Sequence, residues 1–171
     1  MKRLLLLRHA KSSWDNPSLA DFDRPLAPRG AKAAARMGRE LFTRDWLPER
    51  ALVSPAARTR QTWELVVAEL PDAPSTHFPE ALYDASAERM LGELQRAPET
   101  VNTLLILGHN PGLENLARLL VGDKSNAQAQ ARLREKFPTA ALARFMFTGK
   151  WRELGAGAAR LTHCIWPKEL K

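Results

Sequence analysis

Two rhythms of apolar residues run along this chain, unbroken short runs and stripes at helical spacing, and their alternation predicts an α/β fold. Leu4-Leu5-Leu6-Leu7 and Leu104-Leu105-Ile106-Leu107 are four-residue runs flanked by polar and turn residues. That pattern belongs to strands buried on both faces of a parallel sheet. Ala51-Leu52-Val53 reads as a shorter strand. From Gly30, the positions Ala31, Ala34, Ala35, Gly38, Leu41 and Phe42 recur at helical spacing opposite Lys32, Arg36, Arg39 and Glu40. This predicts an amphipathic helix ending near Pro48. Ser54-Pro55 reads as the N-cap and first residue of a second helix that turns Thr59, Trp63, Val66 and Leu70 inward. A third helix, capped by Ser86, carries Ala87, Met90, Leu91 and Leu94, with Arg89 exposed. Leu113, Leu116, Ala117 and Leu120 mark a fourth.

Residues 71–79 read as a proline-rich connection, and the alanine-rich stretch 122–138 as a surface helix. The order β-α-β-α-α-β-α predicts a three-layer α/β sandwich: a mainly parallel central sheet with helices on both faces. Two late runs, Ala141 to Phe147 and Arg160 to Trp166, flank the glycine-rich stretch Gly149 to Gly157 and predict an antiparallel edge hairpin at the C-terminal end. A chain of 171 residues is expected to fold as one domain over 1–171.

The run after Met1-Lys2-Arg3 is only four residues, short of the ~7 to 15 of a signal sequence. No stretch approaches the ~18 apolar residues of a membrane span. A cytoplasmic, non-membrane protein is expected. The single cysteine, Cys164, excludes an internal disulfide and reads as a small apolar filler in a terminal strand. Net charge is +7, and Arg118 to Arg152 holds eight basic residues against two acidic ones. That imbalance favours an anionic partner, and a solvated face is the plainer alternative. Nucleic acid is not the expected partner, because no recognised binding module accompanies the charge.

Both central runs end in a histidine beside a turn, at Arg8-His9 and at Gly108-His109-Asn110-Pro111-Gly112. Ligands of open α/β sheets bind outside the carboxyl ends of the strands, so two strands delivering histidine there point to one shared site. Arg58, one turn into the helix after Ala51-Leu52-Val53, adds a guanidinium to that of Arg8. Two forked donors near helix N-termini suit a dianionic phosphoryl group, and a neutral imidazole among them can attack phosphorus. The four histidines, His9, His77, His109 and His163, lack close metal-ligand spacing. Neither a metal nor a cofactor is expected. His77 and His163 read as structural, and Arg60 as exposed.

Arg8-His9-Ala10 after an apolar strand resembles the Arg-His-Gly signature of the histidine phosphatase superfamily, the phosphoglycerate-mutase-like fold. Ser54-Pro55-Ala56-Ala57-Arg58-Thr59-Arg60-Gln61-Thr62 is similar to that family's Ser-Pro-x-x-Arg-Ala-x-Gln-Thr element, and Gly108-His109-Asn110-Pro111 to the segment bearing its second histidine. The short length, the Arg-His-Ala-Lys-Ser opening and Arg24-Pro25-Leu26 before Arg29-Gly30 are most similar to the SixA-type phosphohistidine phosphatases. The resemblance covers roughly Leu4 to Thr148. It implies that His9 accepts the phosphoryl group, that Arg8, Arg58 and Asn110 bind phosphate, and that His109 completes the pocket. Glu80, in a Glu-x-x-Tyr context, is the implied general acid, with the nearby Asp84 as the alternative. Either carboxylate could instead cap the helix near Ser86.

Ala10 departs from the family's glycine, and a methyl there could narrow the pocket. Because no mutase-like insertions are found, a metal-independent phosphatase is expected rather than a mutase. Its expected substrate is phosphohistidine in an acidic protein partner, with a small phosphoester or a non-catalytic phosphate-binding module as the alternatives. A monomer is expected.

Overall fold

The computed structural model describes residues 1–170. Seven strand or helix elements alternate from the start: β1 (Lys2–Arg8), α1 (Pro28–Thr43), β2 (Arg50–Val53), α2 (Ala57–Val67), β3 (Ser75–His77), α3 (Ala87–Gln95) and β4 (Thr103–Gly108). Then come α4 (Gly112–Leu120), α5 (Ala127–Glu135), β5 (Leu142–Phe147) and β6 (Arg160–Ile165). The strands form one sheet in the order β3-β2-β4-β1-β5-β6. The pairs β3–β2, β2–β4 and β4–β1 are parallel, and β1–β5 and β5–β6 are antiparallel. The expected α/β sandwich with an antiparallel C-terminal edge is present.

The leucine runs explain the layers. Alternate residues of a strand face opposite sides. Leu4 and Leu6 of β1, with Leu104 and Ile106 of β4, pack against Met90, Leu94, Leu113 and Leu116 of α3 and α4. Leu5, Leu7, Leu105 and Leu107 pack on the other side against Met37, Leu41, Trp63 and Val66 of α1 and α2. All eight strand residues are fully buried. At ~1.5–3 kcal/mol per fully buried aliphatic side chain, these two strands anchor both cores at once. α1 and α2 cross closely because Gly38 lacks a side chain; a Cβ there would lie 2.7 Å from the Val66 carbonyl oxygen.

Several local expectations are corrected. Residues 71–79 contain a strand, β3, which pairs only with β2. Pro28 opens α1 two residues earlier than Gly30, and the helix ends at Thr43 rather than near Pro48, before Asp45 turns the chain at φ 58°. Phe42 faces solvent at 53% exposure, not the core. Ser54 does not cap α2, which starts at Ala57. Ser86 does cap α3, its side chain accepting from the Arg89 amide. The surface helix anticipated in 122–138 is α5, and Cys164 is buried in β6, where burial pushes its thiol up to about 12.

Candidate active site

Strand register brings the predicted residues together. Arg8 lies opposite Gly108 in the β1–β4 pair, and Val53 opposite Leu107 in the β2–β4 pair. The next residues, His9, Ser54 and His109, therefore leave the sheet side by side at its carboxyl edge. The His9 amide donates to the Gly108 carbonyl at 3.2 Å, and the Ser54 amide to that of Leu107 at 3.0 Å. Both histidine rings are buried, with centroids 5.3 Å apart.

His9 Nδ1 lies 2.7 Å from the carbonyl oxygen of Ala10. A carbonyl only accepts, so Nδ1 carries the proton and Nε2 keeps its lone pair. Burial, opposed by that hydrogen bond and reinforced by Arg8, Arg58 and Arg24, lowers the imidazole to about 4. His9 is thus neutral and nucleophilic near pH 7. His109 is held by two contacts. Arg58 Nη2 donates to its Nδ1 at 3.3 Å, and its Nε2–H donates to Ser54 Oγ at 2.7 Å. Burial, then the neighbouring His9 and Arg58, lower it to about 3.

The two guanidiniums are anchored from behind. Arg8 Nη1 donates to the Phe137 carbonyl at 3.2 Å. Burial lowers its pKa from the ordinary arginine value. Arg58 Nη1 donates to the Asp21 carbonyl at 2.8 Å and its Nη2 to Asp21 Oδ2 at 3.1 Å. Arg8 Nε and Arg58 Nε are buried with no protein acceptor. Buried donors without partners beside a neutral nucleophile are the reverse of a packing motif; they fit an oxyanion.

The second motif is explained position by position. Gln61 Oε1 accepts from the Leu26 amide at 2.8 Å, pinning the long loop after β1. Thr62, one turn beyond Arg58 on α2, accepts from the Ala10 amide at 3.0 Å and donates to the Arg58 carbonyl at 2.7 Å. The loop that carries His9 and Ala10 and the helix that carries Arg58 are thereby fastened together. The Ala10 methyl is fully buried in a small cluster with Ala34 and Ala140, so it serves packing.

A comparison of the chain with known families settles its relationship. The profile of the histidine phosphatase superfamily (branch 1) matches residues 4–135. The chain belongs to this superfamily, and it is a phosphatase. An uncharacterized protein of Mycobacterium tuberculosis (strain ATCC 25618 / H37Rv) is 36% identical over 156 residues, covering 91% of this chain and 96% of its own. Among solved structures, the candidate phosphohistidine phosphatase SixA of Nakamurella multipartitia is 30% identical, with 97% of this chain and 96% of that one covered and a TM-score of 0.82. The corresponding candidate SixA of Agrobacterium tumefaciens is 29% identical, with 97% and 98% covered and a TM-score of 0.82.

In this phosphatase the remaining predicted residues are engaged differently. Glu80 is exposed in a short 3-10 turn, Glu80–Leu82. Asp84 is exposed at a φ of 53°. Neither makes a side-chain hydrogen bond to the four central residues among the described residues. Asn110 is occupied structurally: its Nδ2 donates to the Phe137 carbonyl at 2.8 Å, and its Oδ1 accepts from the Glu114 amide at 3.2 Å. No group of three or more His, Cys, Asp or Glu side chains among the described residues is arranged to hold a metal ion. No helix among them is long and apolar enough to cross a membrane.

Sequence reasoning missed Asp21 and Tyr83. Asp21 sits in a 3-10 turn, Asp21–Asp23, within the long loop. Its carboxylate accepts from Tyr83 Oη at 2.6 Å and from Arg24 Nη2 at 3.1 Å, besides Arg58. The Tyr83 bond chiefly, with help from Arg58 and Arg24, holds Asp21 at about 2. The Tyr83 ring meets His109 edge-on at 5.6 Å. The basic stretch Arg118–Arg152 is spread over α4, α5, β5 and a 3-10 turn, Trp151–Glu153. Arg118 is drawn to Glu114 and the Leu133 carbonyl, Arg144 lies on β5, and Lys150 and Arg152 flank the buried Trp151.

Proposed function

We propose that this chain is a metal-independent phosphohistidine phosphatase that acts on a protein through a covalent phosphoryl group on His9. The observation that carries this reading is the His9 Nδ1–H bond to Ala10, which leaves Nε2 unprotonated beside Arg8 and Arg58. In the first step Nε2 forms a bond to phosphorus while the P–N bond to the substrate imidazole breaks; the leaving nitrogen takes the electron pair and a proton from solvent. Water then attacks phosphorus, releasing inorganic phosphate and neutral His9. Arg8 and Arg58 offer donors to the equatorial oxygens, where transition-state charge is greatest.

The disposition of carboxylates supports phosphohistidine over an alkyl ester. An alkoxide leaves only when protonated, whereas imidazole leaves readily with solvent as the proton source. Glu80 and Asp84 are exposed, and Asp21 is held ionised by three donors. None is poised as an acid. Exposed Trp14, Leu19 and Phe22 on the Asp21 loop support contact with a macromolecule rather than a small metabolite.

Rapid quenching after mixing with a labelled phosphohistidine protein should trap a label stable to alkali and labile to acid, present without added metal and absent in His9→Ala. Full turnover by His9→Ala would refute the nucleophile. Faster turnover of a small alkyl phosphate than of the phosphoprotein would refute the substrate class.

A further inference from the structure

At the opposite end of the sheet, a second group of arginines surrounds a cavity of about 280 Å³ lined by Arg3, Leu5, Arg44, Asp45, Trp46, Thr103 and Arg144. Arg3 is the second residue of β1, and five residues at ~3.3 Å rise separate it from Arg8, so this cavity lies about 17 Å from the Arg8 end of the strand. Its size falls near the lower end of ligand sites, ~300–1,000 Å³, which suits a small ion rather than a large organic molecule.

The cavity is lined mainly by positive charge. Three guanidiniums face one carboxylate, Asp45. Of the neighbouring acids, Glu40 pairs with Arg44, and Glu49 Oε1 accepts from the Asn102 and Thr103 amides at 3.0 Å each. Trp46 is a fixed apolar wall, with Arg44 4.8 Å and Arg144 4.9 Å from its ring centroid and His163 against it at 4.7 Å. Arg144 projects from the middle of β5, donating Nη1 to Thr162 Oγ1 at 3.0 Å while its Nε is buried with no partner. Burial first, then Arg3 and Arg160, work against its charge. Arginine keeps its proton regardless, so the local cost is relieved by an anion.

We propose that this cavity is a second anion site, distinct from the catalytic pocket, that takes a small diphosphate-type oxyanion through Arg3, Arg44 and Arg144. Three forked donors match several phosphate oxygens, and with Asp45 and the Glu40 paired to Arg44 counted the site still keeps a net positive charge that favours an anion. Nothing in this site depends on the substrate proposed for His9.

The probe is inorganic pyrophosphate, followed by amide and indole NMR shifts of the full chain. Two separate sets of perturbations are expected, one around Arg8 and His109 and one around Arg3, Thr103, Arg144 and the Trp46 indole, with different midpoints. Arg144→Gln and, because Arg3 is exposed and removable without repacking, Arg3→Gln should each weaken the second set by ~10-fold or more. The first set and the turnover should be unchanged. Shifts confined to the catalytic set, or a second set unaffected by both variants, would overturn the site. Citrate binding there as tightly as pyrophosphate would overturn the phosphate class.

Discussion

Thr62 offers the sharpest test of how the catalytic loop is held. Its hydroxyl is fully buried, accepts from the Ala10 amide at 3.0 Å and donates to the Arg58 carbonyl at 2.7 Å. Thr62→Val keeps the shape and removes both bonds. The Arg58 carbonyl belongs to the first turn of α2 and keeps a helical acceptor role, but the Ala10 amide becomes a buried donor with no partner. That costs ~1–3 kcal/mol. For a urea m-value of ~2 kcal/mol/M, the midpoint should fall by roughly 0.5–1.5 M with m unchanged. Because the Ala10 carbonyl fixes the His9 tautomer, movement of this peptide also misaligns the nucleophile. A displacement on the order of 1 Å costs up to ~10²-fold in rate, so kcat should fall about 10- to 100-fold. Thr62→Ser restores the hydroxyl and should recover most of kcat. Wild-type stability and kcat in Thr62→Val would refute the coupling between α2 and the His9 loop.

Acid stability should report His9. Unfolded, it takes a proton near 6.5; folded, only near about 4. The unfolded chain therefore binds more protons in that interval, and stability present above pH 6.5 is lost as pH falls toward 4, by about 3 kcal/mol for this residue. Urea titrations at both ends should show it, and His9→Gln should flatten the slope; an unchanged slope would contradict a buried neutral His9. Tyr83 is the only tyrosine, so phenolate absorbance reads it alone. Its ionisation should lie above the ordinary value of 10, mainly through Asp21, and return toward it in Asp21→Asn. Identical titrations would remove the Asp21–Tyr83 bond from the picture. Glu80→Gln, at an exposed position, should change turnover of both phosphohistidine and phosphoester substrates by no more than ~2-fold. A loss confined to phosphoesters would make Glu80 their general acid.

The parts legible in the sequence were those written in local patterns. Leu4–Leu7 and Leu104–Leu107 announce buried strands because burial on two faces demands unbroken apolar runs, and the histidines following them inherit their position from the sheet. β3 was illegible for the opposite reason: Ser75-Thr76-His77 is polar and pairs on one side only. Ser54 misled because a serine before a proline is a good local N-cap. Its actual partner is His109, 55 positions away. Asp21 carries no motif at all, and its partners Arg58 and Tyr83 lie 37 and 62 positions off. Only the folded sheet brings such groups together.

The pinning of the long loop has a further consequence. Arg8, His9 and Arg58 stand on a strand end and on α2, whereas Trp14, Leu19, Asp21 and Phe22 ride on a segment fastened at few points: the Gln61 bond to Leu26, the Ser12–Leu26 bridge, and the Asp21 clasp on Arg58 and Tyr83. The strand-end histidines and this exposed loop are therefore separable modules. A loop grafted between Ser12 and Leu26 that preserves Gln61's acceptor role and one carboxylate for Arg58 should change which substrates the phosphatase accepts while leaving Arg8, His9, Arg58 and His109 in place.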